Sequence, residues 1–537
     1  MIHNTLFNFF MEKNLIRTLL ACMAAVLLFA ACKDENDDGN TSKTTYAFSV
    51  KAEDNPIEAP ADGETRTLLV TSTKTARAGM SNVAYEVVSS PEWSPAELEQ
   101  TALVVRVARN SSTEPREGKV ILRQAESEQT LEIAVRQAGY ANSMSLEESY
   151  TTPRCRILNI EPAITGFDQN PHYRWTVKAP DAAEAVEAGT ERVLPFIQLR
   201  TGDYAVSLTL TDDSGIEVSA STTVRVETEA EAYSPYIAEV VEYRPAVFDS
   251  RLLSSGMSPT DTPSSALETA ASNIVNKDFN EYNQRGAQLG SLGGYIVFRF
   301  DHTVMNIADC CDFRIGSGVG VQARPTPGIV YVAFDRNANG QPDEEEWYEL
   351  AGSEYGKTTT RTNVKIVYDR PASFPVSAPS TPVENYLSWT INDAEHGSIN
   401  LDMMMFMWQG MPQWPYWLRE GEEGRTMTFE HLVQLPANIT VSGGNPSPAT
   451  FYAYGYACNS NPRNRAKSSF DIDWAVDREG NKVHLPGIDF VKVQTGALQL
   501  VGNYGISGTI INSAIDLHLK EGEEPIPSKE AMEGDNK

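Results

Sequence analysis

The stretch GIVYVAFDRNANGQPDEEEWYELAGSE, from Gly328 to Glu354, joins a strand to a metal-loop pattern. Both faces of its first seven residues are apolar, which predicts a strand buried on both sides. The pattern then changes to oxygen-bearing side chains at loop positions 1, 3, 5, 9 and 12, which are Asp335, Asn337, Asn339, Asp343 and Glu346. This is the spacing of a calcium loop, because a hard cation needs six to eight oxygens and Gly340 at position 6 permits the sharp turn.

The backbone carbonyl of Gln341 would occupy position 7 of this loop. An EF-hand requires flanking helices, whereas here a strand leads into the loop and EWYEL follows it. We therefore predict a Ca²⁺ loop on a β scaffold, in which the ion staples the loop and takes no part in catalysis. The alternative is an ordinary acidic turn in a negatively charged protein.

Length and charge limit the class of protein. A chain of 537 residues predicts about three or four domains. Its 44 basic and 72 acidic side chains give a net charge of −28, which argues against nucleic acid and against an anionic membrane surface as partners. Short β-branched runs separated by Gly, Pro, Asn and Asp predict an all-β fold.

The N-terminal segment predicts export and lipidation. Residues 1–31 contain Arg17 followed by a short apolar run that ends in small residues, which is typical of a cleaved signal peptide. Leu28 to Cys32 resemble a lipobox, and this resemblance implies that Cys32 is acylated and anchored in outer-membrane lipid. The alternative is a plain secretory signal with an incidental cysteine. Residues 32–44 form an acidic tether that resembles the surface-export signal of Bacteroidetes lipoproteins, which implies the extracellular face of the outer membrane.

Four cysteines follow the leader: Cys155, Cys310, Cys311 and Cys458. Neighbouring cysteines rarely meet disulfide geometry with each other, so one of Cys310 and Cys311 could pair with Cys458 or Cys155. The sequence leaves that pairing open. It contains no CxxC pair and no histidine–cysteine cluster that would predict zinc.

Two small modules precede the largest one. Residues 45–140 alternate strands and turns, and TLEIAVRQAG with SSPEWSPAE around Trp93 resembles a BACON domain, an immunoglobulin-like module. Trp93 is either core packing or a sugar platform. Residues 141–230 resemble a PKD domain through HYRWTV and GDYAVSLTLTDDSG, with an apolar strand face formed by Tyr204, Val206, Leu208 and Leu210. Both resemblances imply β-sandwich spacers.

Residues 236–521 form the large unit, here called the head. The order of LGGYIVFRFDHTVMN, the calcium-type loop and SSFDIDWAVDREGNKVHLPGIDFVKVQTG resembles the C-terminal domain of PKD-containing Bacteroidetes cell-surface proteins, and more remotely galactose-binding-like jelly rolls. We expect a turn at Asp301 after the first strand. We expect the late segment to form a hairpin, with its turn at Asp477 to Asn481, that completes the sheet begun near Leu292. Residues of about 365–465 would then be an insertion, and 522–537 a disordered tail.

The insertion contains LDMMMFMWQGMPQWPYWLREGEEG, in which Pro412 and Pro415 interrupt any regular element. Flat aromatic faces stack on sugar rings or on a corrin macrocycle, so one interpretation is a ligand platform formed by Trp408, Trp414, Tyr416 and Trp417. The alternative is that these rings plug the end of the sandwich as a small core.

The function predicted from these features is binding rather than catalysis, since no histidine has metal or triad spacing. We interpret His302 and His396 as turn histidines rather than general bases. The resemblance implies a surface lipoprotein that serves a TonB-dependent uptake system and binds a glycan or a cobamide. An adhesive surface protein is one alternative. A glycan-cleaving enzyme is another, because the separation of two carboxylates is a structural quantity that sequence does not give.

Overall fold

The structure, a computed structural model, describes residues 44–112, 114–140, 142–167, 170–213, 215–247, 256–258, 260–278, 286–317, 325–373, 379–403, 414–415, 417, 424–443, 445–446, 450–461, 463–502 and 505–533. Over these residues the fold is all-β, as the sequence predicts, with many sheets. The α-helices within the described ranges are α1 (Pro263–Ile274), α2 (Arg465–Ser468) and α3 (Ser528–Glu533). Within those ranges, none of the helices has the length and apolar character needed to cross a membrane.

The chain divides into two compact units, Met1–Tyr140 and Ala141–Lys537. The described strands of the first unit are β1 (Thr45–Ser49), β2 (Ile57–Ala59), β3 (Glu64–Leu68), β4 (Thr71–Ala76), β5 (Gly79–Asn82), β6 (Tyr85–Ser89), β7 (Ala96–Glu99), β8 (Ala102–Val107), β9 (Arg116–Gln124) and β10 (Thr130–Gln137). They form sheets in the orders β1-β4-β5, β2-β10-β9-β6 and β3-β8-β7.

The core of the first unit follows from the period-two pattern of its strands. Alternate residues such as Val120 and Leu122 on β9 and Ile133 and Val135 on β10 are fully buried, whereas their neighbours face outward. Trp93 packs partly against this core, and the Arg116 guanidinium lies 4.5 Å from its ring centroid. This packing fits the structural interpretation of Trp93.

The second unit begins with a sandwich whose described strands are β11 (Ser143–Ser145), β12 (Ser149–Pro153), β13 (Leu158–Ile160), β14 (Ala163–Thr165), β15 (His172–Lys178), β16 (Val186–Gly189), β17 (Leu194–Phe196), β18 (Gly202–Thr211) and β19 (Glu217–Glu227). Its five-stranded sheet has the order β12-β19-β18-β15-β16. The predicted apolar face of β18 is confirmed, because Tyr204, Val206, Leu208 and Leu210 are all buried.

The head follows in the same unit. Its described strands are β20 (Glu239–Arg244), β21 (Ala287–Gly290), β22 (Tyr295–Met305), β23 (Phe313–Ser317), β24 (Gly328–Ala333), β25 (Trp347–Leu350), β26 (Arg361–Asp369), β27 (Val383–Ile391), β28 (Glu395–Leu401), β29 (Thr426–Gln434), β30 (Val441–Ser442), β31 (Asn445–Pro446), β32 (Tyr456–Ala457), β33 (Ser469–Phe470), β34 (Ala475–Val476), β35 (Gly487–Thr495), β36 (Gln499–Leu500), β37 (Ile506–Ser507) and β38 (Thr509–Asp516).

Two sheets enclose the core of the head. The larger has the order β20-β22-β35-β24-β25-β34, with β32 beside β24, and the smaller has the order β21-β38-β23-β33. The inner face of the larger sheet contributes Phe298 on β22 opposite Val491 on β35, and both are fully buried. Of the predicted late hairpin, only the return strand is confirmed as a neighbour of the strand near Leu292, because β35 pairs with β22. The first strand is wrong as predicted: β33 pairs with β23 in the smaller sheet, and β34 pairs with β25 at the edge of the larger one.

The insertion forms its own sheet, in the order β28-β27-β26-β29. It packs against the turn between β21 and β22, where the Tyr368 hydroxyl donates to the Leu292 carbonyl at 2.8 Å. Gly293 has a φ of 96°, and a Cβ at this position would lie 2.7 Å from Phe429. The close approach of the insertion therefore requires a glycine here.

Two sequence expectations for the head are wrong. Residues 522–533 are not a disordered tail, because Ile526 and Ala531 are buried in the main core of the head and α3 forms there. The turn expected at Asp301 is instead a register irregularity inside β22. The segment IPSKEAME, which contains α3, is too short for its hydrophobic pattern to predict a helix.

Candidate calcium loop and ligand face

The calcium-type loop is the connection of a β-hairpin. It joins β24 to β25, which pair directly, with Tyr331 opposite Glu349. Ala338 and Gly340 have φ angles of 55° and 76°, so the chain turns sharply twice within the loop. A short 3₁₀ turn, Glu344–Glu346, returns the chain to β25. The structure thus confirms that the loop stands on a β scaffold.

Carboxylates at both ends of the loop accept hydrogen bonds from its backbone. Asp335 accepts from the amides of Asn339 at 3.0 Å and Gly340 at 2.7 Å. Glu346 accepts from the amides of Arg336 at 2.9 Å and Asp343 at 3.2 Å. The loop is therefore curled around the carboxylates of positions 1 and 12.

The side chains at positions 3, 5 and 9 converge. The amide groups of Asn337 and Asn339 donate to Asp343 Oδ2 at 2.7 and 2.9 Å. The backbone amide of Gln341, at position 7, donates to Asn339 Oδ1 at 2.7 Å. A side-chain amide can turn either its oxygen or its nitrogen toward a neighbour. The Asn337 and Asn339 side chains could therefore present their oxygens, together with the Asp343 carboxylate, to a cation.

The charge of the loop fits a bound cation. Asp335 and Glu346 are both buried, each with 7% of its surface exposed. Within the described ranges, no Lys or Arg nitrogen forms an ion pair with Asp335, Asp343 or Glu346. Burial, together with the charges of Asp335 and Asp343, raises the pKa of Glu346. Ca²⁺ would remove this repulsion, because carboxylate and carbonyl oxygens are its preferred ligands.

The loop is fixed to neighbouring elements at its first residues. The Asp335 amide donates to Asp489 Oδ2 on β35 at 2.8 Å, and Asn159 of the preceding sandwich donates to the Arg336 carbonyl at 2.8 Å. Asp489 is half-buried, and loss of solvent around its carboxyl group raises its pKa to about 6. The loop therefore lies where the second sandwich meets the head.

The same hairpin carries two members of a polar row on the outer face of the larger sheet. Lys492 on β35 is opposite Tyr331 on β24, which is opposite Glu349 on β25. Because neighbouring strands lie about 4.8 Å apart, the Lys492 and Glu349 backbones stand about 10 Å apart with Tyr331 between them. We call Lys492, Tyr331 and Glu349 the ligand row.

Among the residues that the structure describes, neither Lys492 nor Glu349 forms an ion pair. The Lys492 ammonium lies 4.3 Å from the Tyr295 ring centroid and 5.8 Å from that of Tyr331. Burial lowers the pKa of Lys492, with a weaker opposing effect from Glu242. Burial also raises the pKa of Glu349 to about 7. Each side chain is half-buried and keeps access to solvent.

Such an arrangement is costly for folding, because a charge taken out of water without a partner destabilises the folded state. The row presents a hydrogen-bond donor, an aromatic ring and a carboxyl group side by side on one face. Perturbed titratable groups of this kind cluster at functional sites. The ligand row is therefore the strongest candidate for recognition on the head.

The structure describes two of the four residues of the predicted aromatic platform, and both are buried. Trp414 is 2% exposed and packs in the core of the insertion, while Trp417 is 5% exposed and packs in the main core of the head. These two indoles offer no exposed face for stacking, so the core-packing alternative fits them. Trp408 and Tyr416 lie outside the described residues.

The other residues considered in the sequence are the lipidation cysteine, four further cysteines and two histidines. Cys32 lies outside the described residues, so its acylation stays a prediction. Cys155, Cys310, Cys311 and Cys458 are free thiols, and the open disulfide alternatives for them are not formed in this structure. Of the two histidines interpreted as turn residues, His302 instead lies buried within β22, and His396 is exposed at the start of β28.

Comparison with known proteins adds little to this geometry. No family model matches the chain, and no curated protein matches it. Solved structures similar to it include an NMR structure of a Bacteroides thetaiotaomicron protein (14% identity, TM-score 0.14), which covers 20% of this chain and 98% of that one. Another is the mouse cadherin-23 EC22–24 structure (12% identity, TM-score 0.19, covering 35% and 66%).

The four N-terminal Ig domains of Dscam1 isoform 4.4 are also similar (15% identity, TM-score 0.16, covering 36% and 47%). The neighbours are thus immunoglobulin-type and related β-sandwich domains. At these TM-scores the likeness carries no argument about function.

Proposed function

We propose that the head of this protein captures a polyhydroxylated ligand, a glycan in the first instance, on the ligand row. The observation that carries the proposal is the pair of half-buried charges on Lys492 and Glu349, which flank Tyr331 in register across three strands and form no ion pair within the described part of the chain. A sugar has an apolar ring face that packs on an aromatic side chain. Its hydroxyls accept from an ammonium group and donate to a carboxylate.

The calcium loop supports the same role. It connects the strand that carries Tyr331 to the strand that carries Glu349, so a cation there would fix the hairpin that pairs them. The residues that would hold Ca²⁺ are Asp335, Asn337, Asn339, Asp343 and Glu346, with the carbonyl of Gln341. The ion would supply structural rigidity, which reduces the entropic cost of binding a ligand.

The cellular setting is proposed from the sequence. An acylated Cys32 and the acidic tether would place the chain in the outer membrane with the head outside the cell. The all-β build of both units fits a surface or adhesive protein. Capture without catalysis would serve a TonB-dependent transporter, to which a glycan or a cobamide would pass.

The test is a binding screen with residues 33–537, using a panel of polysaccharides, oligosaccharides and cobamides. We expect a glycan ligand for the wild-type chain and at least about tenfold weaker binding by Lys492→Met, because a hydrogen bond to a charged group contributes about 1.5–3 kcal/mol. Lys482→Met, at an exposed position outside the row, is the matched control.

Three other results of the binding screen would contradict the proposal. Equal binding by the wild type and Lys492→Met would place recognition elsewhere and overturn the row as the site. Binding of cobamides alone would overturn the glycan assignment. The absence of any ligand would favour the adhesive alternative.

A further inference from the structure

A second set of side chains with metal-binding potential lies next to the paired strands β23 and β38. Cys310 Sγ, a carboxylate oxygen of Asp312 and an imidazole nitrogen of His518 all lie within 4.8 Å of one another. The side chains of Asp312 and His518 are 0% and 4% exposed, and Cys310 is half-buried. These three donor types are the ones that bind Zn²⁺ and related divalent cations.

The strand ladder explains why residues two hundred positions apart meet. Phe313 at the start of β23 pairs with Asp516 at the end of β38, and the Leu517 amide donates to the Asp312 carbonyl at 2.9 Å. The residues just before β23 are thereby held beside those just after β38. The site is built by regular pairing rather than by a loose loop.

Each proposed ligand is oriented by groups around it. Asp312 accepts from the backbone amides of Ile307 at 2.8 Å and Ile472 at 2.9 Å. His518 Nε2 lies 2.9 Å from Asp312 Oδ1, and the His518 amide donates to Asp516 Oδ1 at 2.6 Å. Hydrogen bonds of this kind around a ligand fix its orientation toward a metal.

The charge around Cys310 is a second, independent observation. Four carboxylates act on its thiol electrostatically: Asp312, Asp471, Asp309 and Asp473. Histidines pair with two of them, His518 with Asp312 and His484 with Asp473. Within the described ranges, no Lys or Arg forms an ion pair with any of the four. Asp312 and Asp471 are buried, Asp473 is half-buried and Asp309 is exposed. The site thus holds an excess of negative charge, part of it buried, which a divalent cation would neutralise.

We propose that Cys310, Asp312 and His518 bind one Zn²⁺-class divalent cation, which staples the loop before β23 to the chain after β38. On binding, the Cys310 thiol gives its proton to solvent and coordinates as the thiolate. The proton between His518 Nε2 and Asp312 also leaves to solvent, so the imidazole coordinates through its free nitrogen and Asp312 as the carboxylate. The ion enters between His518 and Asp312 and replaces their direct hydrogen bond. Water completes a four-coordinate shell.

The probe is Co²⁺, whose thiolate complex absorbs in the near ultraviolet, titrated into reduced residues 33–537. We expect one thiolate–cobalt band in the wild type and its loss in Cys310→Ser. In His518→Gln, we expect more than about 100-fold weaker binding, since even removal of an outer-shell partner costs 10–100-fold. Cys311→Ala is the matched control, because it removes the neighbouring thiol that lies in the core, and it should keep the band.

A measurement on the wild-type chain alone covers the case in which a variant fails to fold. Among the four described cysteines only Cys310 is not fully buried, so a thiol reagent should modify it first. Zn²⁺ should slow that modification by at least about tenfold, because the metal-bound sulfur is no longer free to react. Absence of the cobalt band, or unchanged thiol reactivity with Zn²⁺, overturns the proposal.

Discussion

His302 Nε2 lies 2.8 Å from Asp516 Oδ2, although 214 residues separate the two in the chain. His302 Nδ1 lies equally close, at 2.8 Å, to Asp301 Oδ1. The imidazole is fully buried and stacks on Tyr233, at 5.0 Å between ring centroids. This histidine therefore joins β22, β38 and the segment leading into the head.

The first prediction concerns pH and His302. Burial opposes its charge, but the hydrogen bonds and charges of Asp301 and Asp516 prevail and raise its pKa above 6.5. The protonated form then stabilises the fold; this contribution is complete below about pH 6.5 and is lost as pH rises through the folded-state pKa. His302→Gln should destabilise the second unit by about 3–5 kcal/mol near pH 6, because it removes the charged partner of the buried Asp516 carboxylate.

Urea denaturation at a series of pH values measures this effect. The difference in unfolding free energy between wild type and His302→Gln should shrink as pH rises. The variant comparison isolates His302 from His518, whose pKa is also raised and which stays in both chains. A difference that is constant with pH would contradict the assignment.

The second prediction concerns calcium. Ca²⁺ at about a hundred times its Kd should raise the unfolding free energy of the second unit by about 2.7 kcal/mol, because only the folded loop binds it. Asp335→Asn and Glu346→Gln should abolish this gain. Glu345→Gln, an adjacent acidic residue that is exposed and outside the ligand pattern, should keep it. Melting curves with added Ca²⁺ and with chelator make the comparison, and identical curves would mean that the loop is not a metal site.

The third prediction separates function from folding at Glu349. Because burial raises its pKa to about 7, the folded state disfavours the ionised carboxylate. The penalty is complete above about pH 7 and disappears below about pH 4.5, the ordinary value. Glu349→Gln should therefore be more stable than wild type near pH 8, with no gain near pH 4.5, while its ligand affinity falls by about tenfold or more.

A variant that gains stability and loses binding cannot owe the loss to misfolding. Chemical denaturation and calorimetry on the same samples give both values. Unchanged affinity together with higher stability would make Glu349 a structural liability with no part in recognition.

The fourth prediction concerns Trp414. Because its indole is buried in the core of the insertion, Trp414→Ala should destabilise the second unit by about 3–5 kcal/mol. Phe451→Ala, at an exposed aromatic in the same unit, should change stability by less than about 0.5 kcal/mol. Thermal or urea unfolding measures both. Loss of ligand binding by Trp414→Ala without loss of stability would restore the platform interpretation.

The sequence predicts the local features well. The apolar strand from Gly328 and the switch to spaced oxygen ligands lie within one hairpin, so neighbouring residues contain all the information. The apolar face of β18 is visible for the same reason, since a strand alternates with period two. The all-β class follows from many such segments.

The ligand row was not predictable in the same way. Lys492 and Glu349 each look like a single charge in an apolar strand, and only the register of three strands brings them to one face. The only sequence signal is a lysine within the apolar run FVKVQTG. The Cys310 site has the same origin, because His518 reaches it through the ladder of β23 and β38.

The aromatic insertion shows that composition alone does not predict whether a ring is buried. Composition does not distinguish a buried ring from an exposed one, because the same tryptophans suit a core and a platform. Trp414 and Trp417 are buried by elements far apart in sequence. Their burial is decided by tertiary packing, which their own segment does not encode.

The most direct test is a crystal structure of residues 33–537 with the tightest ligand from the binding screen. The account predicts that the ligand packs on Tyr331, with polar atoms within about 3.2 Å of the Lys492 ammonium and the Glu349 carboxyl group. A ligand bound elsewhere on the molecule, with Lys492 and Glu349 untouched, would contradict it.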